Sequence, residues 1–534
     1  MQTIYYNGDI ITMKARGDTV QALLEEDGRI RFTGALAEAE ALAPLARKVN
    51  LRGKTLLPAF IDPHSHFSKV WEYAEMADLS GCQSFREIAD TVRAFLEKRG
   101  VDQDGIVLGF GYDHNFLAEK RHPDREVLDA ASAEIPIFIT HASGHMGVAN
   151  SKLLELAGLS DETPDPPGGR YGRKNGKLDG YAEEPHAMAA LYRAVMGRLK
   201  VDVLADLEEM QNVYLSRGVT TAQDGAATVA DIGFYVGLAK QDKLKMDIVA
   251  YVNCDDDPKL EAFSKYPEVN AKYCGHYKLG GCKMFLDGSP QARTAWMTKP
   301  YAGSGDDCGY PTMQDREVLD FAQRAVDGNH QLLAHCNGDA AGDQYLRCYR
   351  AALEKSKNPN KNALRPVMIH CQTARDDQLD QMAELGMIPS IFVAHTWYWG
   401  DVHLKNFGPG RGSRVSPVRA ALERGLVYNF HQDTPVLPPD VLMTVWCAVN
   451  RITRGGQEIG PAQRVGVYDA LKGVTIHAAY EYSEEGSKGS LEAGKRADMV
   501  ILDRNPLKVP VLEIRDIRVL QTIKDGVTVY QKEA

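Results

Sequence analysis

At 534 residues, with 44% hydrophobic and 25% charged side chains, the sequence is too long for one ordinary core and too apolar for a disordered chain, so two or three globular domains are expected. A formal net charge of -10 offers no basic stripe, which excludes nucleic acid and an anionic membrane surface as partners. No run approaches the roughly 18 to 20 apolar residues of a membrane span.

The first residues, Met1 to Gly8, lack a cationic region followed by an apolar core and read as a strand, not a secretory signal. The nine cysteines are odd in number, scattered and free of Cys-x-x-Cys pairs, which fits a reducing, cytoplasmic setting. Residues 1–56 alternate short strand-like runs with glycine turns, as in Asp9-Ile10-Ile11-Thr12-Met13 and in Arg29-Ile30-Arg31-Phe32 after Asp27-Gly28. The same texture returns over residues 488–534. Both arms are expected to build one composite β-sandwich domain.

Between them, over 57–487, apolar runs alternate with helical patterns, the signature of an α/β protein with a parallel sheet. Eight runs stand out: near Ala59–Asp62, Val219–Asp224, Asp247–Asn253, Gly281–Leu286, Gln331–His335, Pro366–His370, Ile388–Val393 and Leu426–His431. Eight such units make a (β/α)8, TIM-like barrel. A barrel takes about 250 residues before insertions, which leaves a large insert at about 67–210, after the first strand. Two further strand-like runs, Ile106–Gly109 and Ile135–Ile139, are assigned to that insert, and its tract Thr163 to Arg170 reads as a loop, plausible as a lid.

Barrel enzymes place their active residues at the carboxyl ends of the strands. The first run ends in His64-Ser65-His66, where alternation puts both imidazoles on one face, within reach of one ion. The fourth carries Lys283, the fifth ends at His335, the sixth at His370, and Asp433 follows the eighth. This is a nitrogen and oxygen donor set suited to zinc or a similar first-row ion. Cys282, Cys336 and Cys371 each adjoin one of these residues and alternate away from it, into the core. Trp296 and Trp397 follow the fourth and seventh strands, where they would face a bulky, partly apolar substrate group or pack in a lid or interface. Arg293 would bind a substrate carboxylate or pair with a loop carboxylate.

Several of these stretches resemble the amidohydrolase superfamily, within it the YtcJ-like branch of N-substituted formamide deformylases. The resemblance is carried by Leu56 to His66, Lys283-Met284-Phe285-Leu286-Asp287-Gly288-Ser289 with Arg293-Thr294-Ala295, Ala334-His335-Cys336-Asn337-Gly338-Asp339, Gly218-Val219-Thr220-Thr221 and Gly489 to Asp498. It spans nearly the whole chain. It implies a carboxylated Lys283 bridging two divalent metals, zinc by preference with manganese, iron or cobalt as alternatives. One metal would be held by His64, His66 and Asp433, the other by His335 and His370. The residue-level alternative is an ordinary Lys283 ammonium paired with Asp287, with one metal bound. A segment around Thr140 to Ser151 resembles the family stretch beside the substrate pocket, and there His145 is the expected substrate contact.

Metal-bound water with a pKa lowered toward about 7 would attack a carbonyl, and Asp433 would shuttle the proton to the leaving amine. The expectation is a hydrolase of non-peptide C–N bonds, in N-acyl or N-formyl amines. Hydrolysis of a cyclic amide or ester, another reaction on the same metals, or a non-catalytic metal-binding regulator stand as alternatives. The expected partner is a small-molecule substrate, and a homodimer is left open.

Overall fold

The computed structural model of the protein describes residues 2–533 other than 72–74, 103, 115, 143–145, 167–168, 197 and 199–201. The chain forms two compact units, Met1–Lys69 with Gln211–Ala534, and Val70–Met210.

In the first unit an eight-stranded parallel sheet runs in simple chain order: Phe60–Ile61, Val219–Ala227, Asp247–Asn253, Tyr277–Phe285, Gln331–Cys336, Val367–His370, Ile388–Ile391 and Asn429–Phe430. These strands carry the eight apolar runs of the sequence, because strands covered on both faces must be apolar throughout. The two outermost strands are only two residues long. Just past them the backbone continues to pair: Asp433 N donates to His64 O at 3.0 Å and His66 N to Thr434 O at 2.7 Å. Ile61, Val249, Tyr251, Leu333, Val367, Ile369 and Ile388 form one buried cluster. Leu333 and His335 share a face of their strand, so the histidine sits one layer above that cluster.

The other sheet of this unit joins the two arms. Thr55–Pro58 pairs antiparallel with Met499–Leu502, which pairs with Val519–Lys524 and then Val527–Gln531. On its other side Thr55–Pro58 pairs in parallel with Gln2–Ile11, which also pairs with Arg47–Asn50 and with Thr19–Glu26, and the latter with Arg29–Gly34. Where a sandwich of two sheets is expected, hydrogen bonding runs continuously through one sheet, because Thr55–Pro58 is paired on both edges to opposite ends of the chain. One buried cluster serves both arms, with Tyr5, Ile10, Leu23 and Leu56 packed on Met499, Ile501 and Ile523. Asp247, at the start of the third parallel strand, ties this sheet down: its buried carboxylate meets Lys488 at 2.6 Å and Lys524 at 2.8 Å.

The second unit is built on a six-stranded sheet in the order Arg170–Lys174, Lys177–Glu183, Met146–Ala149, Ile137–His141, Val107–Tyr112 and Met76–Asp78. The apolar runs near residues 107 and 137 are adjacent parallel strands here. Its helix Phe85–Arg99 starts at an Ser84 cap, whose hydroxyl accepts from Glu87 N, and stops at Gly100 in the left-handed conformation. Among the described residues no helix is long and apolar enough to cross a membrane.

Candidate metal centre

The carboxyl ends of the parallel strands bring five of the six proposed ligands into direct reach of one another. His64 Nε2 and His66 Nε2 lie 3.3 and 3.2 Å from the same oxygen, Asp433 Oδ1, and His370 Nε2 lies 4.0 Å from Oδ2. Lys283 Nζ is 3.3 Å from His64 Nε2. The sixth, His335, stacks edge-on against His370 with ring centroids 4.5 Å apart. His64, Lys283, His370 and Asp433 are 1%, 0%, 4% and 8% exposed, so the group is walled off from bulk water.

Backbone conformation aims two of these side chains. His370 and Asp433 have φ of 69° and 57°, a left-handed conformation that costs a non-glycine residue about 1–3 kcal/mol and is held only where its surroundings over-determine it. In Val367–His370 the core residues Val367 and Ile369 share a face, and the turn at His370 breaks the alternation that would send its imidazole the other way. Gly225 gives His64 its room, since a Cβ there would fall 2.6 Å from His64 Cε1.

The tautomer of His64 is fixed by its neighbour. Gln223 Oε1 lies 2.6 Å from His64 Nδ1, and the Gln223 amide nitrogen donates to Pro63 O and to Glu481 Oε1. The amide oxygen can only accept, so Nδ1 carries the proton and Nε2 keeps its lone pair, which Lys283 Nζ approaches at 3.3 Å. The same nitrogen lies 3.3 Å from Asp433 Oδ1, which His66 Nε2 also approaches. Imidazole nitrogens gathered on one buried carboxylate oxygen form a donor set that suits a first-row divalent ion. The ligand atoms of His64, His66 and Asp433 all lie within 4.8 Å of one another.

His335 is oriented in the same manner. Its Nδ1 donates to Asp287 Oδ1 at 3.1 Å, and the Asp287 carboxylate also accepts from the backbone nitrogens of Asn337, Gly338 and Trp296. Asp287 is therefore engaged with His335, which answers the alternative pairing with Lys283.

Burial, aided by neighbouring positive groups, lowers the pKa of His64 and His370 well below the usual imidazole value. Burial also lowers His66, although the Asp433 carboxylate opposes it. These shifts favour the neutral ring, the form that binds metals. Burial pulls the Lys283 ammonium down to about 8 against the opposing charge of Asp433. Asp433 itself is raised by burial but lowered more by His66, His431 and Lys283, and lies below the usual carboxylate range.

The remaining expected residues are placed as follows. Trp296 contributes its backbone to the Asp287 cradle and is half-buried. Arg293, with φ of 59°, donates through Nε to Asn406 Oδ1 at 3.1 Å, an amide in place of the loop carboxylate considered from sequence. The Trp397 ring packs edge-on against Trp446 at 5.3 Å, with the Arg515 guanidinium over both rings, so its surface goes into packing. His145 lies outside the described residues. Burial raises the Cys282 and Cys336 thiols well above their ordinary value and Cys371 to about 12, as expected of core cysteines.

Two residues of the cluster stand outside the ligand set expected from sequence, although His431 ends the eighth apolar run. His431 is fully buried with Nε2 3.1 Å from His370 Nδ1 and Nδ1 3.0 Å from Ser390 Oγ. Gln223 sits mid-strand, 159 residues from the ring it orients.

A family model described as the amidohydrolase family matches residues 47–530. The chain is 28% identical to the N-substituted formamide deformylase of Arthrobacter pascens, over 98% of each protein. It is 24% identical to the putative amidohydrolase YtcJ of Bacillus subtilis, over the full length of both. A solved structure of an uncharacterized metal-dependent hydrolase from Pyrococcus horikoshii superposes with a TM-score of 0.76 at 26% identity, covering 96% of this chain and 99% of that one. With matches that run from the first arm through the last and histidines gathered at the ends of its parallel strands, the chain belongs to the amidohydrolase family, in its YtcJ-like branch.

Proposed function

We propose that this protein is a metal-dependent hydrolase of a C–N bond in a non-peptide amide, with N-formyl or N-acyl amines as the substrate class. The observation that carries the reading is the convergence of His64 Nε2 and His66 Nε2 on Asp433 Oδ1, with the His64 tautomer set by Gln223, in a chain alignable end to end with a formamide deformylase. The parallel sheet is read as a closed TIM-like barrel, which the hydrogen bonds between residues 64–66 and 433–434 support. The two-armed sheet is read as a separate composite domain, and Val70–Met210 as the insert.

His64, His66 and Asp433 would hold one divalent ion, and His335 and His370 a second, with zinc the preferred metal. Lys283 would bridge them as a carbamate: the ammonium first loses a proton, and the neutral amine then adds to CO2 with release of a second, so that a cation becomes a bidentate anion. When bound, such ions supply Lewis acidity, polarising a carbonyl and lowering the pKa of water toward about 7.

The chain's own residues would do the rest. Asp433 takes the proton from the attacking water and delivers it to the nitrogen of the leaving amine, which cannot depart as an anion. Gln223 and Asp287 hold His64 and His335 in register. The buried walls exclude bulk water from the reacting carbonyl.

The test is a panel of N-formyl, N-acetyl, lactam and lactone compounds with metal-supplemented protein. Turnover is expected on the open-chain amides with release of free amine. Turnover confined to lactams or lactones, or absent throughout, would overturn the substrate class.

A further inference from the structure

A second group of metal-type side chains lies in the unit Val70–Met210. Strand Val107–Tyr112 and its parallel neighbour Ile137–His141 end together, with Tyr112 opposite His141. Their register shifts between Phe110 and Tyr112, where Gly111 takes a φ of 98° that favours glycine. The shift brings Asp113 and His114, just past one strand, beside His141, the last residue of the other. Adjacent carboxyl ends of parallel strands are where α/β sheets gather ligand-binding groups.

Three atoms converge there. His114 Nδ1 is 3.3 Å from His141 Nε2, His141 Nε2 is 3.5 Å from Asp113 Oδ1, and His114 Nδ1 is 3.9 Å from the same oxygen. Metal bonds of about 2.1 Å in a tetrahedron set ligand atoms about 3.4 Å apart. The edges of the triangle bracket that value. The His114 Nδ1–His141 Nε2 pair is also at hydrogen-bond distance, whereas both distances to the Asp113 carboxylate oxygen are long for a hydrogen bond.

The surroundings favour neutral rings. Burial, helped by neighbouring imidazoles, lowers His114 below the usual imidazole value and His122 to about 3. His122 stacks on His114 with centroids 4.0 Å apart, and its Nδ1 is 3.1 Å from the Tyr112 hydroxyl. Asp113 and His114 keep 20% and 27% of their side-chain surface, which leaves a path for an ion.

We infer that Asp113, His114 and His141 form a further metal site, for a first-row divalent cation such as zinc. Three protein ligands leave the fourth position to water or a small ligand, the pattern of an open site.

Cobalt(II) is the probe, because tetrahedral coordination gives it visible absorption. Full-length protein carrying His64→Asn, His66→Asn, His335→Asn and His370→Asn, stripped with chelator and titrated, is expected to keep one saturable Co(II) with a visible band. Adding His114→Gln and His141→Gln should abolish that band. If either background fails to fold by circular dichroism, Asp113→Asn in the otherwise unchanged chain replaces it and is expected to weaken one class of Co(II) site at least tenfold. Unchanged stoichiometry, affinity and spectrum after substitution of these residues would overturn the inference.

Discussion

Asp433 combines a left-handed backbone with a carboxylate oxygen that both His64 Nε2 and His66 Nε2 approach. Asp433→Asn keeps the size and one coordinating oxygen but removes the group that titrates. The variant is expected to retain most of its metal and lose on the order of 10²-fold or more in amide turnover. Esters with good leaving groups should suffer less, since their departure needs no proton, and parallel amide and ester assays on metal-quantified protein check this. Lys283 supports a pH prediction. Only its neutral amine can take up CO2, and with a pKa of about 8 the neutral fraction rises about tenfold from pH 7 to pH 9, flattening above 8. Bicarbonate-dependent reconstitution of stripped protein, followed by metal uptake, should trace that curve. A rise still climbing tenfold per unit at pH 9 would indicate an ordinary lysine. His64 and His66 were legible in the sequence because strand alternation alone places them together. His431 ends the eighth apolar run but its role there was not assigned, and Gln223 was not legible, since a lone residue on a strand announces nothing until its partner, drawn from a distant strand, is known.

At the scale of elements, the site depends on contacts between strand ends that are far apart in sequence. Asp287, just past the fourth strand, accepts from His335 and from three backbone nitrogens, so one carboxylate sets a histidine and a loop together. Asp287→Ala leaves those donors unpaired in a buried place, which costs about 1–3 kcal/mol for each group left without a partner. Metal affinity at His335 is expected to fall 10–100-fold, the usual effect of losing a partner behind a metal-binding histidine. Competition with a chelator reads this, and full retention of affinity would remove Asp287 from the site. The eight parallel strands were readable because each is a short apolar run covered on both faces. The outermost two shrink to Phe60–Ile61 and Asn429–Phe430, and isolated backbone hydrogen bonds between residues 64–66 and 433–434 continue past them. The metal-type group around His114 and His141 escaped because its geometry comes from a register shift at Gly111, which no periodicity reports.

For the whole molecule, the decisive feature is Thr55–Pro58, which lies in the two-armed sheet only a few residues before His64. Removing residues 488–534 would unpair that strand from Met499–Leu502 and take Lys488 and Lys524 away from the buried Asp247 carboxylate. His276 Nδ1, 2.6 Å from Asp247 Oδ1, would remain beside it, but breaking a buried ion pair by removing its cations costs up to about 3–5 kcal/mol, and the freed edge invites association. The truncated protein is expected to be insoluble, measured by fractionation after expression. A soluble truncation with full metal content would show the arm to be dispensable.

The same pairing carries a kinetic consequence. Thr55–Pro58 must wait for a partner more than 440 residues further along the chain. Contacts of such long range are slow to form, because loop closure is paid in entropy before any pairing rewards it. During synthesis at about 5–20 residues per second, the segment that delivers His64 and His66 spends tens of seconds without its neighbour. Ribosome-bound chains stalled before residue 499 should therefore be sensitive to protease near residue 55, and those released beyond residue 524 should be protected there.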